Sequence, residues 1–213
     1  MKMRYTAILF VTCIAFAATG CQDLPPQPGY VTMGYDRMAS VAPSSTAAGR
    51  TAKLASRYAE RPYFIEFRAR YALSYGHTYV VFGRMNSAGQ AISREVAGLH
   101  PKSDSPVPYV LGHFMPVPAE TGWSDGDLEE QYRAASWRVM LTKSEYDEVV
   151  AKIRKLQARA GLWQASVYNC NAFTGDIARS MGYKVPSRYL RPQQFVTQLR
   201  ELNTGSKTVA QND

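Results

Sequence analysis

Hydrophobic spacing changes character once along this chain, and that single change limits the folds open to it. From residue 63 to 98 the pattern is strand-like. Tyr63-Phe64-Ile65-Glu66-Phe67-Arg68-Ala69-Arg70-Tyr71 carries aromatics with partial alternation, and Gly76 to Gly83 is rich in β-branched and aromatic residues. Asn86-Ser87-Ala88-Gly89 reads as a turn, Gln90 to Gly98 as the returning strand, and Ala134 to Leu141 as a further strand. From Thr142 onward the period becomes helical. Thr142 and Glu145 have the spacing of a capping box, followed by Tyr146, Val149, Val150, Ile153, Leu156 and Ala160, with Gly161 as the stop. A second helix is predicted from Asn169-Cys170 to Gly182, its inner face carrying Phe173, Ile177, Ala178 and Met181. Pro192 is placed to open a third, through Phe195, Val196, Leu199 and Leu202. Residues 100–127 hold five prolines and read as an irregular excursion, a flap. Strands followed by helices predict an α+β domain, an antiparallel sheet packed against helices, over residues 55–203. One domain fits that length, and no internal repeat is evident.

The residues before that domain read as processing and tethering segments. Lys2 and Arg4 form a short positive region, followed by an apolar run from about Ala7 to Ala18. Such a run is too short to span a bilayer but suits an export signal. It ends in Ala18-Thr19-Gly20-Cys21, which resembles the lipobox of bacterial lipoproteins, with Ala18 where leucine is commonest. Cleavage after residue 20 and lipid on the Cys21 thiol are expected, palmitate-type acylation anchoring the chain to a membrane. An ordinary secretory signal that leaves Cys21 free is the plainer reading. Gln22, rather than Asp, follows Cys21, which by analogy with such lipoproteins favours the outer membrane, on its periplasmic side. Residues 21–54, with Pro25-Pro26-Gln27-Pro28-Gly29, read as a flexible tether, and residues 204–213 as a disordered tail.

The formal net charge of the 213 residues is +8, and the leader holds two of the cations and no acid. Moderate basicity at the cell envelope suits contact with anionic lipid or cell-wall polymer. A surface of ordinary solvated cations explains it equally well, and because the charge is spread out it does not suggest nucleic-acid binding. No Gly-rich loop suggests a nucleotide, and the histidines and cysteines lack zinc-ligand spacing, so no cofactor and no metal are expected. The sequence does not set an oligomeric state.

Of three cysteines, Cys13 leaves with the leader and Cys21 takes lipid, so Cys170 has no intrachain disulfide partner. A lone thiol in an oxidising compartment is either buried and inert or chemically used. Its setting, Tyr168-Asn169-Cys170-Asn171-Ala172-Phe173, is informative. Asn169 is a favourable N-cap, which puts Cys170 in the first helical turn. The helix dipole there favours thiolate, and a fall of about two units from about 8.5 would make thiolate the major form at neutral pH. The candidate general base is His77, which opens a strand after Gly76 and shares a face with Tyr79 and Val81.

A strand histidine followed downstream by Asn-Cys-Asn-x-Phe at a helix start resembles the circularly permuted papain-like cysteine hydrolases. These include permuted NlpC-type cell-wall hydrolases, lecithin retinol acyltransferase-like enzymes and PPPDE isopeptidases. The resemblance covers about residues 63–185, with specific matches at about a dozen positions. It implies a Cys170 nucleophile, a His77 base and thioester chemistry on an amide or ester. It also implies a polar group orienting the imidazole, for which the following strand offers Ser93, Glu95 and His100. Glu95 is the first choice, since a carboxylate would hold the tautomer. The Cys170 amide would donate to the oxyanion, and the Tyr168 hydroxyl, beside Asn169, is a candidate second donor. His113 is an alternative partner for the thiol.

Two functions fit these residues. One is a membrane-anchored cysteine amidase or peptidase acting on peptidoglycan peptides or acyl groups. The other is a non-catalytic binding or structural lipoprotein of the same fold, holding glycan or a protein partner through the 100–127 excursion. Common to both is the anchor. Cys21→Ser is expected to abolish metabolic labelling with radioactive palmitate and to shift the protein from the membrane pellet to the soluble fraction. Undiminished labelling would refute lipidation at that residue.

Overall fold

In the computed structural model, which describes residue 56 and residues 58–72, 75–103 and 105–205, six strands form one antiparallel sheet. The expected leader, Cys21, the tether and the tail from residue 206 lie outside the described residues. β1 (Tyr63–Arg70), β2 (His77–Met85), β3 (Ala91–Pro101), β4 (Val117–Thr121), β5 (Arg133–Leu141) and β6 (Leu162–Trp163) lie in the order β5-β1-β2-β3-β4-β6. Asn86 closes the β2–β3 hairpin, its Oδ1 accepting from the amides of Ala88 and Gln90 at 3.0 and 2.9 Å.

The 100–127 excursion is more ordered than its prolines suggest. It contains a single helical turn, α1 (Val107–Leu111), and the strand β4. Pro108 falls in the first turn of α1, where a missing N–H costs nothing. Pro118 sits in β4 with its carbonyl accepting from the Lys102 amide at 2.9 Å, opposite the two-residue edge strand β6.

Three longer helices cover one face of the sheet. In α2 (Lys143–Arg159) the Thr142–Glu145 capping box forms, with the Thr142 amide donating to Glu145 Oε2 at 2.7 Å. α3 (Cys170–Ser180) ends where Gly182 takes a left-handed φ of 80°, and α4 (Pro192–Thr204) begins on proline. Alternation then decides what meets the helices. Ile65, Phe67, Val80, Phe82, Ala97 and Leu99 pack with Ile153, Phe173, Ile177, Phe195 and Leu199 in the main core. The opposite parity, Phe64, Tyr79, Val81 and Met85, forms a smaller cluster on the other face, with Tyr58 and Leu128 against it. β2 is therefore apolar on both faces.

Phe173 is fully buried at the centre of the main core. Phe173→Ala is expected to lower unfolding free energy by about 3–5 kcal/mol, measured by urea titration. A loss below about 1 kcal/mol would mean that α3 does not pack on the sheet as described.

Candidate functional site

The Asn-Cys-Asn segment is built around two amide side chains. Asn169 caps α3, its Oδ1 accepting from the Ala172 amide at 3.0 Å while its Nδ2 donates to the Ala165 carbonyl at 2.8 Å. Asn171 is 2 % exposed. Its Oδ1 accepts from Thr78 Oγ1 on β2 at 2.6 Å, and its Nδ2 donates to the carbonyls of Arg188 and Leu190 at 3.1 and 2.7 Å. The two asparagines thus tie strand, helix and the 183–191 loop together. Cys170 lies between them, partly buried, as a free thiol. Burial pushes its pKa up, and that outweighs hydrogen bonds from Thr78 and from the first amides of α3, which pull it down. The helix start does supply donors, as the sequence suggests, but desolvation is the larger effect.

His77 is on the other side of the sheet. Thr78, its neighbour, is the residue that turns toward α3, and strand alternation sends the His77 ring to the opposite face. There it stacks on Tyr79, ring centroids 5.6 Å apart, and meets His100 edge-on at 5.8 Å. A Cβ at Gly98, paired with Tyr79, would come within 2.7 Å of His77 Nε2, so the ring occupies space that glycine leaves open. The sheet backbone therefore separates the imidazole from the helix that carries Cys170. The alternation predicted for His77, Tyr79 and Val81 holds, but the face they share is the one without the helices.

Of the candidates to orient the imidazole, His100 does lie beside the His77 ring, while the remaining expected participants are placed elsewhere. Glu95 pairs in register with Phe82, five residues along β2 from His77, and forms an exposed ion pair with Arg154. It cannot orient the His77 ring from there. Ser93 lies farther in the same direction, opposite Arg84. Among the described residues, no carboxylate hydrogen-bonds to His77. The Tyr168 hydroxyl donates to Asp176 Oδ2 at 3.1 Å, so its proton is committed to α3 rather than to an oxyanion. Burial and then Asp176 push its pKa up. His113 is exposed, its ring against Tyr75 at 5.3 Å.

His77 instead joins a polar assembly that the sequence did not signal. On the same face Arg70 Nε donates to the fully buried Asp127 at 2.6 Å, and Asp127 Oδ2 accepts from the Ser124 hydroxyl at 3.0 Å. Burial pushes the Tyr79 phenol up to about 12, and its hydroxyl donates to the Asp127 carbonyl. His100 Nδ1 lies 3.6 Å from Glu120. Period-two spacing of Arg68 and Arg70 between apolar residues was the available hint; Asp127 carried none, because it arrives from a loop. Among the described residues no group of three or more histidines, cysteines or acids is placed to hold a metal ion. No family model, curated protein or solved structure matches this chain.

Burial first, then Arg70 and His100, hold the His77 pKa well below its ordinary value of 6.5. The unfolded chain takes up that proton as pH falls below about 6.5, and the folded chain does not until lower pH. Stability should therefore rise with pH through this window and level off above it. The urea midpoint is expected to be lower at pH 5 than at pH 7.5, and His77→Gln should shrink the difference. A variant with the unchanged pH profile would show that His77 is not the titrating group.

Proposed function

We propose that this chain is a lipid-anchored, non-catalytic binding module of the bacterial cell envelope, tethered through Cys21. It engages its partner through the end of the sheet where α1, the β6 turn and the start of α3 meet. One observation carries the choice against an enzyme: the His77 ring packs on Tyr79 and His100, on the strand parity opposite to Thr78, whose side chain is the one that bonds α3. A nucleophilic cysteine needs a base within hydrogen-bond reach, directly or through one water. The raised thiol pKa points the same way, since it lowers the thiolate fraction at neutral pH. The two asparagines that flank Cys170 have full structural employment, so the segment needs no catalytic role to explain it.

The runner-up is the cysteine hydrolase that the permuted papain-like resemblance implies, acting on peptidoglycan peptides or acyl groups. Two features favour it: hydrogen bonds aimed at the sulfur from Thr78 and the α3 amides, and the position of Cys170 at the end of the sheet. That reading requires a base other than His77 in its present place.

Alkylation separates the two. With iodoacetamide at pH 6 to 7, Cys170 is expected to react more slowly than free cysteine, and Cys170→Ser should leave partner binding intact. A thiol that reacts severalfold faster than free cysteine would overturn the non-catalytic reading.

A further inference from the structure

Two stretches of the chain meet at the helix-capped end of the sheet, and both are nearly free of charge. Between Asp104 and Glu120 the only ionisable side chains are Tyr109 and His113; between Arg159 and Asp176 they are Tyr168 and Cys170. None of these carries a full charge at neutral pH unless His113 is protonated. The stretches are joined by structure. β4 pairs with β6, the Ala165 amide donates to the Gly112 carbonyl at 3.0 Å, and Tyr109 lies edge-on to Trp163 at 5.8 Å. A Cβ at Gly112 would fall 2.2 Å from the Trp163 ring, so the α1 backbone is pressed directly onto that indole.

This attachment fixes α1 while leaving its apolar side chains outside. No residue of α1 is buried. Val107, Val110 and Met115 are 57, 61 and 55 % exposed, and Phe114 is 82 % exposed. Leu162 and Val167, on the segment that carries Trp163, are also exposed, at 57 and 60 %. Scattered exposed apolar residues are ordinary, but four within nine residues of one docked segment mark an interaction surface.

Charge decides the partner. Lys102, which leads into the α1 segment, and Arg188, whose guanidinium donates to the Val167 carbonyl, are both exposed. Neither forms an ion pair among the described residues. Of the described acids at the ends of these stretches, Glu120 lies against His100 and Asp176 pairs with Arg179, which leaves Lys102 and Arg188 as cations open to anionic headgroups while the apolar side chains enter the headgroup–acyl boundary of a bilayer. A five-residue helix cannot span a bilayer, so the contact is interfacial.

We infer that the α1 end of the domain docks on the surface of an anionic phospholipid bilayer, with Phe114 and Val110 as its inserted side chains. This rests on the binding-module reading and names its partner. The domain would then lie against the membrane with the Cys170 end facing lipid.

The test uses the mature chain from Gln22 onward, without the leader or Cys21, so that neither the apolar run nor a lipid contributes. Its co-sedimentation is measured with vesicles of phosphatidylglycerol and phosphatidylethanolamine, and with vesicles of phosphatidylcholine alone. Binding to the anionic vesicles, weakened by salt, is expected, together with a smaller response to neutral ones. Phe114→Asp is expected to reduce the affinity about tenfold or more, with an unchanged melting temperature because the side chain is exposed. Lys102→Glu with Arg188→Glu should reduce the preference for anionic vesicles. Absence of vesicle binding, or binding indifferent to Phe114→Asp, would overturn the inference. So would a dimer in sedimentation velocity that Phe114→Asp dissociates while vesicles go unbound, since the face would then serve a second copy. None of these results changes the thiol reactivity that decides between binding module and hydrolase, so the two readings fail separately.

Discussion

Asn171 is where the sheet, the third helix and the loop before the last helix are held in one place. Its amide is buried and bonds within the protein: it accepts from Thr78 on β2 and donates to the carbonyls of Arg188 and Leu190. A buried amide left without partners would cost about 1–3 kcal/mol, so the three groups it touches are constrained to meet it. Because Thr78 is the strand residue that makes this bond, the parity of β2 is fixed relative to α3. Thr78, Val80 and Phe82 face the helices, and His77, Tyr79 and Val81 face away. The placement of His77 relative to the helix that carries Cys170 follows from that parity.

The second face has a different physical character. Glu66 is 2 % exposed and lies among Arg68, Arg133 and Arg138. Burial alone would raise its pKa, but Arg68 and Arg138 outweigh that and hold it below the usual carboxylate range. Arg70 and Asp127 form a further pair beside His77. Burying such pairs has a desolvation cost comparable with their attraction, so this assembly is weak evidence for stability. Its clear effect is geometric: it fastens the 122–132 connection over the sheet and gives His77 a place as a neutral, packed ring.

These two faces explain why a segment with the look of a catalytic motif need not be one. The Asn-Cys-Asn run places a thiol at a helix start, where backbone donors are available. It also places two amides where a strand and a loop must be joined, and the joining accounts for both asparagines. The exposed apolar side chains lie at the same end of the molecule, on α1 and the β6 turn, in a segment ordered by contact with Trp163. The exposed apolar side chains, among them the neighbours of His113, and the thiol thus lie at one end, whereas His77 and His100 pack together on the opposite face of the sheet.

The sequence by itself determined the elements that depend on local rules: the three longer helices with their Thr142, Asn169 and Pro192 starts, the β2–β3 hairpin, and the antiparallel α+β class. Each of those follows from spacing, capping or turn chemistry within a few residues. It also determined that His77, Tyr79 and Val81 share a face. It could not determine which face, because β2 is apolar at both parities and either set could have met the helices. Only the tertiary structure decided that, through the pairing of Thr78 with Asn171 across 93 residues. The same holds for β4 within a proline-rich stretch and for Asp127 beside Arg70. Partners brought by long-range pairing leave no mark in local spacing, and the site is made almost wholly of such partners.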